Sequence, residues 1–191
     1  LSAWAPPFST FIIGTGSTLT HCAATNTGAA GIDAQESTIR DCTSSSNGGN
    51  GYNLGRSVLS DCIAAHNTFD GIKASNSHIT GCEAWQNGAI GINVRSSEVT
   101  DNGVAQTTGH GIEVIGSGSL VARNNVQTNS VTGTGAGIRV TGTANRIDEN
   151  HVTDEVVVPA FQDVGIEVTG AGNVVVRNTA HANGINYALS G

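Results

Sequence analysis

The chain has 191 residues, a formal net charge of −7, 26 glycines, no methionine and only 12% charged residues. Glycine at roughly twice and charge at roughly half their usual shares, together with 38% apolar residues, argue against a helical bundle, a coiled coil or a disordered chain. Glycine is not at every third position, which excludes collagen; no apolar run nears the roughly 18 residues of a membrane-spanning helix, and the acidic balance speaks against a nucleic-acid partner.

Residues 1–16 hold Trp4, Pro6, Pro7 and Phe11 and no charged-then-apolar leader. They read as an N-terminal segment that folds over the first turn as a cap, on a processed chain or an excised fragment. Residues 17–191 carry a repeat. Gly31-Ile32, Gly51-Tyr52, Gly71-Ile72, Gly91-Ile92, Gly111-Ile112, Gly137-Ile138 and Gly165-Ile166 recur at spacings of 20, 20, 20, 20, 26 and 28. In step with them run Cys22, Cys42, Cys62, Cys82, Asn102, Asn124, Asn150 and Asn178. A branched aliphatic lies three residues before each of these, from Leu19 and Ile39 through Val175. A small or branched residue lies two after, from Ala24 through Ala180. Within one repeat the alternation has period 2, so Ile72 and Ala74 share a face and Lys73 and Ser75 the other. Short runs separated by Asn, Ser, Gly and Asp predict three strands of ~3–5 residues per repeat. Such a unit cannot bury its own apolar face; stacking at ~4.8 Å buries it, and about eight coils give a rod of roughly 38 Å.

This pattern resembles the right-handed parallel β-helix proteins, the pectin-lyase-like solenoids of secreted bacterial type, over roughly residues 17–189. The resemblance implies an all-β single-domain solenoid. The Gly-Ile strand forms the first sheet, the Ser-x-x-Ile strand the second, and the Cys/Asn position marks the bend into the third. It also implies an extracellular or cell-surface location, although this chain shows no signal peptide. It is not specific for activity, because one fold hosts many functions.

Stacking places each register in one line. The asparagines are expected to form an amide ladder that satisfies bend amides. The four cysteines are expected to form a ladder of buried free thiols. In-register Cβ atoms ~4.8 Å apart exceed the ~3.8 Å of a disulfide, and a line is no tetrahedral cage; disulfides and a metal cluster stay as lesser alternatives.

Candidate chemistry lies on the outer face of the first sheet, in the column Asp33, Asn53, Lys73, Asn93, Glu113, Arg139 and Glu167. The insertions 130–136 and 155–164 precede two of its strands and are expected to overhang Arg139 and Glu167. Glu113, Arg139 and Glu167 are therefore the candidate catalytic set. Two carboxylates two coils apart, roughly 9–10 Å, suit inverting glycoside hydrolysis. An arginine between two glutamates equally suits a surface salt-bridge ladder. Lys73, Asn93, Arg95 and His110 on this sheet, with Trp85 and Phe161, are candidate substrate-binding residues. Family lyases use clustered Asp residues for Ca²⁺. The column here reads Asn, Lys, Asn, Glu, and an Asp-Pro-His run is missing, so Ca²⁺ has no motif and no cofactor or metal site is assigned. The six histidines fall in different registers and are expected to be exposed.

Three functions remain open. The favoured one is a non-catalytic scaffold contacting polysaccharide or another protein chain. The alternatives are a polysaccharide-degrading enzyme working at the Gly-Ile sheet and a rod that assembles with its own copies end to end.

Overall fold

In a strand such as Ile72–Ser75 only Ile72 and Ala74 point inward, and both are buried while Lys73 is exposed. Two inward side chains make no core, so the strand is stable only between its copies above and below. The computed structural model, which describes residues 11–130, 135–155 and 162–190, shows that stacking. It is a right-handed parallel solenoid of about eight turns with three strands per turn. Among the described residues the first sheet has nine strands, from Phe11–Ile13 to Ile185–Leu189, and the other two have eight each. Every neighbouring pair is parallel and joins strands one turn apart. The first sheet thus begins within residues 1–16; residues 1–10 lie outside the described residues, and with them the expected cap. No described residue is helical, so no helix is long and apolar enough to cross a membrane.

The core is a set of columns. Ile32, Tyr52, Ile72, Ile92, Ile112, Ile138 and Ile166 stack from the first sheet, and Ile39, Leu59, Ile79, Val99, Val121 and Ile147 from the second; all are fully buried. Tyr52 interrupts the isoleucines without leaving its hydroxyl orphaned, because the phenol donates to the Cys42 carbonyl at 2.8 Å. Tyr187 shares this inward register but is 40% exposed, since its strand has a neighbour on one side only.

Each coil turns three corners, and at most of them a single residue adopts the left-handed conformation, as His21, Asn26 and Glu36 do. Such residues cost roughly 1–2 kcal/mol each. What offsets the cost is the residue that follows, whose side chain satisfies the corner. Cys22 N donates to Cys42 Sγ at 3.4 Å, Cys42 N to Cys62 Sγ at 3.3 Å, and Cys82 N to Asn102 Oδ1 at 2.9 Å. The asparagines continue through Asn124, Asn150 and Asn178. Thiol sulfur and amide oxygen therefore do the same job. The four cysteines are free. Burial pushes the Cys42 thiol up, and the hydrogen bond to Cys62 together with burial pushes the Cys82 thiol up, so both stay protonated and unreactive.

Two more ladders hold the other corners. Ser37, Ser57, Ser77, Ser97 and Ser119 sit in line, the Oγ of each after Ser37 accepting from the backbone N–H one turn before, and Asn145 and Asn173 extend them. Thr27, Asn47, Asn67 and Asn87 form the third. Asn129 and Gln162 continue it, with Gln162 Oε1 accepting from Asn129 N at 3.2 Å. The glycine of each Gly-Ile pair is there because the next turn leaves no room. A Cβ on Gly71 would stand 2.7 Å from the Gly91 carbonyl oxygen, and one on Gly91 2.7 Å from that of Gly111.

Candidate functional site

Register fixes the outer face of the first sheet. Asp33, Asn53, Lys73, Asn93, Glu113, Arg139 and Glu167 are successive partners across it, one per turn. Arg95 lies beside Asn93 on the same strand, paired with Ser75. Lys73, Asn93 and Arg95 line an open groove of about 400 Å³. A second depression of about 460 Å³ shares Asn53 and Lys73 with it and reaches the exposed ring of Phe69. Phe69 is the one large residue in a column of small ones, its backbone bonded to Gly49 on one side and Ala89 on the other.

Among the described residues most cations are paired. Arg56, Arg123, Arg139, Arg146 and Arg177 each lie within salt-bridge distance of a carboxylate. Arg40, Lys73 and Arg95 do not, and two of those three face the groove from adjacent turns.

Three turns along from Lys73 the face changes character. Arg139 Nη1 lies 3.8 Å from Glu113 Oε1, and Arg139 Nε lies 3.2 Å from Glu167 Oε2. The ion-pair ladder read from the sequence is therefore formed. It holds more than that reading gave it. His110, expected to be exposed, is half-buried: Nδ1 accepts from Ala136 N at 2.9 Å, and Nε2 lies 3.1 Å from Arg139 Nη1. The correction has a physical cause. The chain enters the sheet three residues earlier here than in previous turns, in the strand Gly135–Val140, and this lengthened start covers the imidazole. Asp70 accepts from Ile90 N and from Asn93 Nδ2, both at 3.1 Å.

Burial raises the Glu113 carboxyl above its ordinary range against the pull of Arg139, with Asp70 and Glu167 adding to the rise. Burial lowers the His110 imidazole, and Arg139 pushes the same way. Perturbed groups gathered on one sheet face are what a working site tends to contain.

The other candidates lie elsewhere. Trp85 is on the outer face of the third sheet, 37% exposed, its ring edge-on to His66 with centroids 4.6 Å apart. It shares no surface with the groove. Phe161 and most of both insertions lie outside the described residues. Asp70 and Phe69 are a carboxylate and a ring breaking columns that otherwise read Ala30, Asn50, Ile90 and Ala29, Gly49, Ala89.

The family model described as a right handed beta helix region matches residues 11–157. The chain belongs to the right-handed β-helix family. Among solved structures, this β-helix is similar to two Azotobacter vinelandii mannuronan C-5 epimerase A-modules. For AlgE6 the TM-score is 0.75 at 16% identity, over 86% of this chain and 57% of that one. For AlgE4 it is 0.72 at 15% identity, over 91% and 57%. Pectate lyase Pel9A follows at a TM-score of 0.54 and 14% identity, over 91% and 55%. The chain spans little more than half the length of these proteins, and at such identities the likeness is one of fold. No curated protein matches the sequence.

Proposed function

We propose that this β-helix is a non-catalytic module that binds an acidic polysaccharide along the outer face of its first sheet, outside the cytoplasm and without a metal. The observation that carries the reading is the pair Lys73 and Arg95, unpaired cations on adjacent turns lining one groove of a chain whose net charge is −7. Two cations ~5 Å apart along the axis suit carboxylates repeated along a polymer. The fold likeness to proteins whose names include mannuronan C-5 epimerase and pectate lyase supports a glycan ligand. Glu113 and Glu167 are both spent on Arg139, which argues against a free acid and base there.

Calorimetry with oligouronates, in the presence of EDTA, tests this. Wild-type protein binds, more weakly as salt rises, and Lys73→Gln with Arg95→Gln lowers affinity by about ten-fold. Absence of binding to any uronate, or affinity indifferent to both substitutions, defeats the proposal.

A second reading, a polysaccharide-degrading enzyme, is favoured by the raised Glu113 carboxyl beside His110. Mass spectrometry of the same mixtures separates the two. Released fragments that vanish with Glu113→Gln establish turnover, and a fragment one water lighter than the hydrolysis product marks elimination.

A further inference from the structure

The contacts of His110 and Arg139 do not close. Ala136 N–H donates to His110 Nδ1, so in the neutral ring the proton sits on Nε2. Arg139 Nη1, 3.1 Å from that Nε2, is also a donor. Two N–H groups thus face each other with no acceptor between them. Arg139 Nε is buried and makes no hydrogen bond either; Glu167 Oε2 at 3.2 Å is near enough for an ion pair but not aligned with the N–H. Buried donors without acceptors are rare and costly, and Arg139 Nε is one of them.

What completes the cluster must accept from His110 and Arg139. A carboxylate or phosphate would accept, but it would join Glu113 and Glu167, which already share a single guanidinium, with Asp70 near enough to act on Glu113. A hydroxyl meets both demands, because its oxygen accepts while its proton goes to a neighbouring carboxylate. We infer that the exposed side of the His110–Arg139 pair is a hydroxyl-binding subsite, taking a ring hydroxyl of the glycan whose carboxylates rest on Lys73 and Arg95. The inference rests on the proposed glycan binding. Lys73 and Arg139 are three turns apart, about 14 Å along the axis, so one extended oligosaccharide would meet both.

The test alters the ligand first, which leaves the fold untouched. An oligouronate and its O-acetylated form are titrated into wild-type protein, Arg139→Lys and His110→Gln. Wild-type protein prefers the free hydroxyls by at least ten-fold, and both variants lose that preference while retaining the salt-dependent part of binding. The ¹⁵N spectrum of His110 shows the Nε2–H tautomer, and its titration midpoint moves by less than a unit on binding. Equal affinity for the two ligands shows that this side of the pair meets only solvent and overturns the inference while leaving the Lys73/Arg95 reading intact. A midpoint raised by more than a unit places a carboxylate there and overturns it as well. Absence of binding to either ligand defeats both readings.

Discussion

His110 and Glu113 are neighbours whose protonation is biased in opposite directions, and the signs can be worked through one residue at a time. The imidazole is lowered from its ordinary 6.5 by burial and by Arg139. The unfolded chain therefore takes up a proton at pH values where the folded one does not. The stability this residue contributes is present above pH 6.5 and is lost as pH falls through the lowered value. Glu113 is raised from its ordinary 4.5, so its contribution is present below that value and is lost as pH rises through the raised one. Thermal melts of wild-type protein should lose stability through His110 as pH falls below 6.5. His110→Gln, which keeps an acceptor for Ala136 N, should flatten that decline. A decline of the same size in the variant would show that other groups cause it. Asp148 reports on a lower range: Arg177 and Arg146 hold it down to about 2, so its ion pairs survive until pH falls close to that value.

The corner is the element that repeats most faithfully, and its side chains are more demanding than the strands. Asn67 Oδ1 accepts from Asn47 N at 3.1 Å and from Asn47 Nδ2 at 2.9 Å, while its own amide donates to the Ser44 carbonyl at 3.1 Å and to Asn87 Oδ1 at 3.0 Å. Asn67→Ala leaves several buried groups without partners and should cost about 3 kcal/mol. Urea unfolding would show it as a lower midpoint at unchanged slope; a cost below about 1 kcal/mol would mean water replaces the amide.

These corners also mark how far the sequence could be read. The period of 20 determined strand faces, the outward column and the Cys/Asn ladder, because parallel stacking converts equal spacing into equal position. Ser37, Ser57, Ser77 and Ser97 keep the same spacing but resemble ordinary turn residues, and only their buried hydroxyl contacts reveal a ladder. Gln162 could not be foreseen as Asn129's partner, because an insertion breaks the count between them. His110 met Arg139, 29 residues on, for the same reason: the lengthened strand start is a local backbone event that spacing alone does not encode. Lys73 and Arg95 were legible as neighbours because both lie in turns of 20 residues.

For the whole molecule, contacts run only between a turn and the next. Deleting residues 51–70 removes one complete turn and joins Asn50 to Gly71, a junction the native chain already uses between Asn50 and Gly51. The shortened protein should fold, with the β signature of the parent and a cooperative melt. Removing Lys73 alone, inside a strand, puts Ala74 outward and Ser75 inward and should destabilise the protein far more than removing the whole turn. Equal stability of the two proteins would refute the account of stacking given above.

Turns of 20 residues and turns of 26 or 28 rise by the same strand spacing, so the axis counts revolutions and ignores how many residues each one uses. Growth of the chain at a corner therefore adds girth and leaves length alone. Any two outward groups on the first sheet keep a separation that is a whole number of rungs, whatever is inserted between them. A polymer with its own fixed repeat would then meet this surface as one scale meets another, matching at some intervals and missing at others, and loops could be lengthened or exchanged without disturbing that match.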